Sequence, residues 1–287
     1  MIDLLAVARF STPVALAATG ETVGQKSGVI NVGLEGMMLA SSYAAAMLAL
    51  GTGSSILGLL FGAAVGVTLA LIFAWFVIRM GVDQIVVGTA MNLLALGVTA
   101  TLFRGAYGQS GKLLSLPPLP RWGGMDVLLF FVPVLVLASS WLIYRTRWGL
   151  AVRAAGENPV AAEAAGFSVL RLRFGATAVA GLFAGLAGAY LALGVNGSFA
   201  ENMTAGRGFV AIAMVTFGRW KPIWVLLASL LIGYAESLQF QFQAEGVAVP
   251  YQLLVAMPYV LALVVLVVAG KGSAAPSALA KPYRRER

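Results

Sequence analysis

Seven long stretches of the sequence hold few or no charged side chains, and each is about as long as a membrane-spanning helix. Crossing the hydrocarbon core takes about 20 apolar residues in a helix. The stretches are residues 33–51, 55–78, 84–103, 126–144, 174–195, 222–243 and 251–269. Two further apolar stretches, 10–22 and 208–218, are short for full spans and are predicted as tilted, broken or partly re-entrant helices. The pattern predicts an all-α polytopic membrane protein, a bundle of about nine (8–10) transmembrane helices.

The scarcity of charge excludes a soluble domain. Only 10% of the residues are charged, against about 25% in soluble proteins, and 60% are hydrophobic. So few charges could not coat the surface of a soluble fold. We predict a single transmembrane domain over residues 1–270 and a basic cytoplasmic tail over 271–287. The start carries Asp3 ahead of Arg9 and has no clear cleavage site, so we expect the first helix to be retained.

The residue types needed for most catalytic sites are missing. The chain has no Cys and no His, which excludes disulfides, thiolate nucleophiles and histidine bases. The 11 acidic residues form no paired-carboxylate or metal-binding pattern. The string GAYGQSGKL at 105–113 resembles a phosphate-binding loop only loosely, because Leu113 stands where Ser or Thr is needed. We therefore expect no catalytic residue, no metal and no cofactor bound by this chain; a membrane enzyme is the third alternative.

The basic residues are distributed unevenly between the two sides of the predicted bundle. In membrane proteins, the short loops on the cytoplasmic side carry an excess of Lys and Arg. Fourteen of the 19 basic residues then fall inside: Lys26, Arg79, Arg145, Arg147, Arg153, Arg171, Arg173, Arg219, Lys221, Lys271, Lys281, Arg284, Arg285 and Arg287. The other five fall outside: Arg9, Arg104, Lys112, Arg121 and Arg207. This bias predicts a cytoplasmic C-terminus, and it accounts for the net charge of +8 without a nucleic-acid partner.

Two connections are long enough to have a role of their own. The outer one, 105–125, contains three prolines and is predicted to be extended and exposed. The inner one, 146–173, contains a short helix with almost no side-chain bulk. Asn158 suits its N-cap, Pro159 its first position and Gly166 its end.

Few polar residues lie within the predicted spans. Glu35 is four residues from Asn31, and Glu236 is three from Gln239, so each pair is predicted to share a helix face. Asn92 lies near the middle of its span. Such groups either hydrogen-bond neighbouring helices or line a cavity. For Glu35 we favour the structural role, and for Asn92 both roles stay open.

Three strings resemble one family over nearly the whole chain. They are KSGVINVGLEGMM at 26–38, GLAVRAAGENPVAAEAAG at 149–166 and TAGRGFVAIAMVTFGRWKP at 204–222. The chain resembles the permease subunit of ABC importers of the ribose and branched-chain amino acid class. The NVGLEG and GRWKP forms are most similar to the branch for nucleosides and simple sugars. Longer ribose-type permeases have an extra N-terminal span, so the family's span count does not transfer to this chain.

The resemblance implies a division of labour between subunits. The short inner helix would dock on an ABC ATPase with paired cassettes, which would bind ATP and Mg²⁺. The docking residues would be Gly149, Arg153, Glu157, Asn158, Pro159, Ala161, Ala162, Glu163 and Gly166. A second permease chain, an extracytoplasmic substrate-binding protein and membrane lipid would be the other partners, in the bacterial cytoplasmic (inner) membrane.

The substrate pathway is the less defined part of this hypothesis. Candidate pathway or gating residues are Asn31, Glu35, Asn92, Phe103, Asn196, Phe199, Phe209, Glu236 and Gln239. Aromatic faces and amide groups suit a nucleoside. A branched-chain amino acid is the alternative substrate. An ion-coupled secondary transporter using Glu35 and Glu236 is the alternative mechanism.

Overall fold

A computed structural model describes residues 3–108, 114–245, 250–269 and 275–283. The described residues form eleven helices and one short hairpin. They are α1 (Leu4–Lys26), α2 (Leu34–Thr52), α3 (Ser55–Ala74), α4 (Gln84–Tyr107), β1 (Arg121–Trp122), β2 (Met125–Asp126), α5 (Val127–Arg145), α6 (Arg147–Glu157), α7 (Pro159–Ala164), α8 (Val169–Tyr190), α9 (Arg207–Phe217), α10 (Pro222–Ala244) and α11 (Tyr251–Ala269). The predicted placements of Lys112, Lys271, Arg284, Arg285 and Arg287 lie outside the described residues.

Six of these helices are long and apolar enough to cross a membrane. They are α2, α3 with its π-helical extension to Arg79, α4, α5, α8 with its extension to Asn196, and α10. The all-α membrane architecture is therefore confirmed, but the predicted count of about nine spans is not supported. Helix α9 has only 11 residues, and the described side chains of α11 include the apolar run Gln252–Val264. Helix α1 is long, but Ser, Thr, Glu and Gln interrupt its apolar character.

Helix α1 forms the centre of the bundle. Every residue from Ser11 to Gln25 is buried, and the helix packs against α5, α8, α9 and α10. A helix that is enclosed on all sides must satisfy its polar side chains within the protein. The sequence predicted only the apolar stretch 10–22 here, because polar residues continue the helix on both sides of it.

Glycines bring α3 and α8 into backbone contact. The helices are antiparallel, and their closest contacts recur every four residues along each helix. A Cβ on Gly66 would lie 2.6 Å from the Gly185 Cα, and one on Gly62 would lie 2.8 Å from the Ala189 Cβ. Leu193 approaches Gly58 in the same way. Small residues at such positions let helix backbones approach closely.

The outer connection differs from the sequence expectation. Residues 114–120 have no regular secondary structure and are exposed only in part: Ser115, Pro118 and Pro120 are exposed, but Leu114, Leu116 and Leu119 are buried in the core. The Leu116 amide donates to the Gly197 carbonyl over 2.9 Å. The prolines prevent regular structure in this segment, and the three leucines hold it against the bundle.

Candidate functional site

A short helix, α9, follows a strained turn and starts inside the protein. The turn, residues 197–206, connects α8 to α9 and contains four residues with positive φ: Gly197, Asn202, Ala205 and Gly206. Asn and Ala adopt this region at a cost that the surrounding structure must offset. The first amides of α9 have no partner within their own helix and need acceptors from elsewhere.

Glu35 supplies those acceptors. It lies in the first turn of α2, and its Oε1 accepts from the Gly206 amide at 2.7 Å. Its Oε2 accepts from the Gly208 amide at 2.6 Å. The carboxylate thus lies at the positive end of the α9 dipole. A Cβ on Gly208 would come within 2.6 Å of the Glu35 Cα, so this approach requires glycine.

Arg207 joins the same start of α9 to α10. Its Nε lies 3.2 Å from the Glu236 Oε1, and both side chains are largely buried. Its Nη1 also donates to the Met203 and Thr204 carbonyls. Gln239 is buried on α10 close to Glu236 in the sequence. The sequence analysis placed Arg207 on the outer side, and the structure shows that its side chain is largely buried in an ion pair.

Helix α11 also contacts the turn before α9, since the Tyr259 hydroxyl donates to the Ala205 carbonyl at 2.5 Å. Phe209, in the first turn of α9, is about half exposed and lines an apolar groove of about 270 Å³. The groove runs between α9 and α11 and is completed by Val210, Ala213, Tyr259, Ala262 and Leu263. We call the Glu35, Arg207 and Glu236 cluster with its groove the α9 clamp.

Asn92 has a structural role in the described protein. Its Oδ1 accepts from the Gly36 amide at 2.8 Å, and its Nδ2 donates to the Val32 carbonyl at 2.9 Å. The side chain therefore connects α4 to the start of α2. Of the two interpretations left open, interhelical hydrogen bonding is the one that the geometry favours.

Asn31 lies apart from Glu35. It precedes α2, in the bend that follows α1, so the predicted shared helix face does not exist. The Asn31 backbone amide donates to the Glu21 Oε1 at 2.9 Å, and the Gln25 side chain donates to the same oxygen at 3.0 Å. Glu21 is fully buried.

Trp220 completes this second polar cluster. Its Nε1 donates to the Gln25 Oε1 at 2.7 Å. Arg219 and Trp220 have φ of 52° and 54°, and this left-handed turn points the indole into the core. The sequence analysis missed Glu21, although an acid within the apolar stretch 10–22 was a usable signal.

An aromatic group lies on the α4 side of the turn before α9. Phe103 and Phe199 are both buried, with ring centroids 5.1 Å apart, and Tyr43 packs on Phe199 at 5.2 Å. Asn196, in contrast, is exposed. Phe103 and Phe199 therefore act as packing residues here, and the structure does not bring Asn196 to the α9 clamp.

Two ion-pair groups lie on the outer side of the predicted topology. Asp126, buried at the end of the hairpin, pairs with Arg9 at 3.3 Å and Arg121 at 3.1 Å, and the Tyr190 hydroxyl donates to it. Arg104 and Glu201 form an exposed pair at 2.6 Å. Hydrogen bonding to this guanidinium lowers the pKa of Glu201. Neither group was predicted; Arg9 and Asp126, like Arg104 and Glu201, are far apart in the sequence, whereas Arg121 and Asp126 are only five residues apart.

The inner connection contains two helices rather than one. Helix α6 starts where the Thr146 hydroxyl accepts from the Gly149 amide at 2.9 Å. Helix α7 starts at Pro159, with the Asn158 Oδ1 accepting from the Ala161 amide at 3.0 Å. Gly166, with φ of 89°, follows its end. The short helix lies where its capping residues predicted it; α6 was not predicted.

The two faces of α7 differ. Ala162 is buried against Ala155 and Val169. The opposite face exposes Val160, Phe167 and small residues between them: Ala161, Ala164 and Ala165. Leu150 on α6 is also exposed. We call this surface the α7 face. It is apolar, and between Val160 and Phe167 it carries only small side chains.

Comparison with known proteins identifies the family. Residues 4–270 match the family described as the permease component of branched-chain amino acid transport systems. The chain belongs to this permease family. The permease is 32% identical to a guanosine ABC transporter permease of Bacillus subtilis, over 96% of this chain and 93% of that protein.

Two further relatives are similar over most of their length. A nucleoside ABC transporter permease of Lactococcus lactis subsp. cremoris is 31% identical, over 90% of this permease and 88% of the relative. A putative glucose ABC transporter permease of Haloferax volcanii is 30% identical, over 99% and 97%. The Bacillus and Lactococcus systems each include a second permease protein that also matches.

Two regions of the permease, the α9 clamp and the α7 face, therefore contain several of the predicted site residues. The α9 clamp brings together Glu35, Glu236 and Phe209 of the predicted pathway residues, with Gln239 nearby. The coupling candidates Asn158, Pro159 and Ala161 lie on or beside the α7 face, whereas Ala162 and Gly149 are buried. Arg153 lies over the Tyr144 ring at 5.3 Å, on the inner side of α6.

Proposed function

We propose that the permease forms, with a second permease chain, the pathway of an ATP-driven importer for nucleosides or related simple sugars. An ABC ATPase with paired cassettes would bind ATP and Mg²⁺, and an extracytoplasmic binding protein would deliver the substrate. The assembly would lie in the bacterial cytoplasmic membrane. The observation that carries this proposal is the α7 face, an exposed apolar surface on a capped helix beside the membrane bundle.

The α7 face is suited to contact an ATPase. Its alanines permit close approach, while Val160 and Phe167 offer apolar area at its edges. Asn158 fixes the start of the helix by capping it. Because α7 leads within a few residues into α8, a displacement of α7 would reach the membrane bundle directly.

The α9 clamp is the proposed moving part of the pathway. Discontinuous helices near the middle of a membrane are common at transport sites, because their free ends offer polar groups. Here Glu35 and Glu236 tie the start of α9 to α2 and α10, and Phe209 and its groove lie at the surface of the chain. A second permease chain would face such a surface and close the pathway.

The contacts of residues 275–283 support an orientation of the permease in the membrane. Residues 275–283 hydrogen-bond α6 and α7, so they lie on the same side as the α7 face. If the ATPase docks there, this side is cytoplasmic and the C-terminus is cytoplasmic too. The basic residues predict the same orientation.

The substrate proposal rests on the relatives. The guanosine and nucleoside permeases favour a nucleoside, and the glucose permease supports a sugar. The family description keeps a branched-chain amino acid as an alternative substrate. An ion-coupled transporter is disfavoured, because both candidate acids already have partners. The Glu35 carboxylate accepts hydrogen bonds from two backbone amides, and Glu236 pairs with Arg207.

Uptake by the reconstituted complex tests the proposal. Proteoliposomes holding both permeases and the ATPase, with the binding protein added, should take up guanosine or glucose only with ATP and Mg²⁺. Uptake by this chain alone under an ion gradient would contradict it.

A variant of the α7 face tests the docking site. Ala161→Trp should block co-purification of the ATPase, whereas Ala106→Trp, at an exposed position at the far end of α4, should not. Ala162 is buried, so its replacement would test packing instead. Undiminished ATPase binding by Ala161→Trp would contradict docking at α7.

A further inference from the structure

A segment near the end of the chain, residues 275–283, lies across the α6–α7 junction. We call it the strap. Its Ala278 amide donates to the Gly156 carbonyl at 2.9 Å, and its Ala280 amide donates to the Gly28 carbonyl at 3.1 Å. The strap therefore joins the end of α6 to the residues that follow α1. These are backbone hydrogen bonds between segments more than a hundred residues apart, so they depend on the tertiary structure.

Side chains extend this attachment to both inner helices. The Ser277 amide and hydroxyl donate to the Glu157 Oε2 at 3.2 and 3.1 Å. The Tyr283 hydroxyl donates to Glu163 on α7. Glu157 and Glu163 were predicted as ATPase-contact residues, but in the structure their carboxylates accept hydrogen bonds from the strap.

Helix α8 is part of the same arrangement through Arg173. This side chain is only 2% exposed. Its Nε donates to the Ser27 carbonyl at 3.1 Å, and its Nη1 donates to the Lys281 carbonyl at 3.0 Å. A buried guanidinium is costly unless hydrogen bonds offset its lost hydration. Here these bonds connect α8 to the strap and to the end of α1.

The packing beneath the strap requires small residues. A Cβ on Gly156 would lie 2.9 Å from the Lys26 carbonyl carbon, and one on Gly28 would lie 3.1 Å from the Ala278 carbonyl oxygen. Ala278 is buried at this crossing, and Tyr283 packs against the cluster of Ala155, Ala162 and Val169. The strap is therefore fitted to the junction by shape as well as by hydrogen bonds.

We propose that the strap is a coupling element: it holds α6 and α7 to α1 and α8, so that force applied by the ATPase at α7 moves these helices together. This rests on the proposed docking of the ATPase at the α7 face. The strap packs on the buried side of α7 and leaves Val160, Ala161 and Ala164 exposed. It is therefore placed to support the docking surface from behind, and it does not cover that surface.

Removal of the strap tests this inference in the assembled transporter. A chain lacking residues 275–287 should still bind the ATPase through the α7 face, and ATP should still be hydrolysed. The ratio of substrate imported to ATP hydrolysed should fall roughly 2- to 30-fold, the range found for changes within coupling networks. An unchanged ratio would overturn the proposal.

A milder variant guards against misfolding of the truncated chain. Ser277→Ala combined with Tyr283→Phe removes two hydroxyl donors and keeps the packing. It should lower the same ratio in a complex whose composition is unchanged. A normal ratio in this variant, with the truncated chain absent from the membrane, would assign the strap a purely structural role and overturn the proposal.

A reversible cross-link tests whether the strap stays attached to α6 during transport, as a coupling element would, or must detach before transport can occur. The chain has no cysteine, so Ser277→Cys with Glu157→Cys provides its only two thiols. A short bis-methanethiosulfonate reagent should join them, and the joined complex should transport at least as well as after reduction. Loss of uptake on cross-linking, recovered with dithiothreitol, would show that the strap must detach and would overturn the proposal.

The unmodified complex separates these outcomes from a failure of the proposed function. If it hydrolyses ATP and imports substrate, the variants report on the strap. If it binds no ATPase at all, the proposed function itself fails. The strap proposal is then overturned with it.

Discussion

The Oε2 of Glu35 accepts a hydrogen bond of 2.6 Å from the amide of Gly208, a residue 173 positions away in the sequence. This bond and its partner at Gly206 place a carboxylate at the start of α9, where two backbone amides need acceptors. The contact joins the first family-like string of the sequence to the third. Each string supplies half of the arrangement, the carboxylate from one and the close-packing glycines from the other.

Replacing Glu35 should weaken both folding and transport. In Glu35→Gln the side-chain NH₂ would face a backbone amide, so one of the two donors would lose its acceptor. Hydrogen bonds to charged groups contribute about 1.5–3 kcal/mol each, and we expect a loss of that order in stability. Thermal unfolding in detergent measures it. Glu201→Gln, at an exposed carboxylate, is the matched control and should change stability far less.

Gly208→Ala should be as damaging as the loss of Glu35, for a steric reason. The added Cβ would lie 2.6 Å from the Glu35 backbone. We expect reduced yield of folded protein and loss of uptake in cells. Gly97→Ala adds the same methyl group within α4, where nothing lies within 4 Å, and should be neutral or stabilising. Equal behaviour of the two variants would contradict this steric explanation.

The Arg207–Glu236 pair should respond to single and double changes differently. Removing one partner of a buried ion pair typically costs about 3–5 kcal/mol, because the other charge is left without compensation. Glu236→Leu alone should therefore destabilise the protein more than Glu236→Leu combined with Arg207→Met. A double-mutant cycle on the unfolding midpoint measures the difference. Additive effects would indicate that the two side chains do not interact.

Glu21 should tolerate conversion to an amide but not to a hydrocarbon. Its Oε1 accepts both hydrogen bonds, while its Oε2 has no donor among the described residues. Glu21→Gln keeps the accepting oxygen and removes the cost of burying an acid. We expect stability that is unchanged or higher. Glu21→Leu leaves the Asn31 amide and the Gln25 side chain without an acceptor, which costs about 1–3 kcal/mol for each buried group. Similar melting temperatures for the two variants would contradict this assignment.

The local parts of the inner connection were predictable from sequence. Asn158, Pro159 and Gly166 define the start and end of α7 through capping and backbone geometry, which depend on neighbouring residues alone. The length of α9 was also visible as a short apolar stretch. The resemblance to ABC permeases, based on three strings, identified the family that the comparisons confirm.

Contacts between distant segments were not predictable in this way. Nothing near Glu35 in the sequence indicates that its carboxylate binds Gly206 and Gly208. The burial of Leu116 against Gly197 likewise depends on how the bundle closes. The count of about nine spans included the short stretches 10–22 and 208–218, which in the structure belong to α1, a long helix interrupted by polar residues, and to α9, which has only 11 residues.

The glycine register between α3 and α8 has a mechanical consequence. Since the two backbones meet at successive turns, from Gly66 and Gly185 to Gly58 and Leu193, the pair has the stiffness of one thick rod. Helix α2 packs along both helices of this rod and can serve as its fulcrum. A push on α7 would then act on a lever, and its far end, beyond Leu193, would swing in the opposite direction.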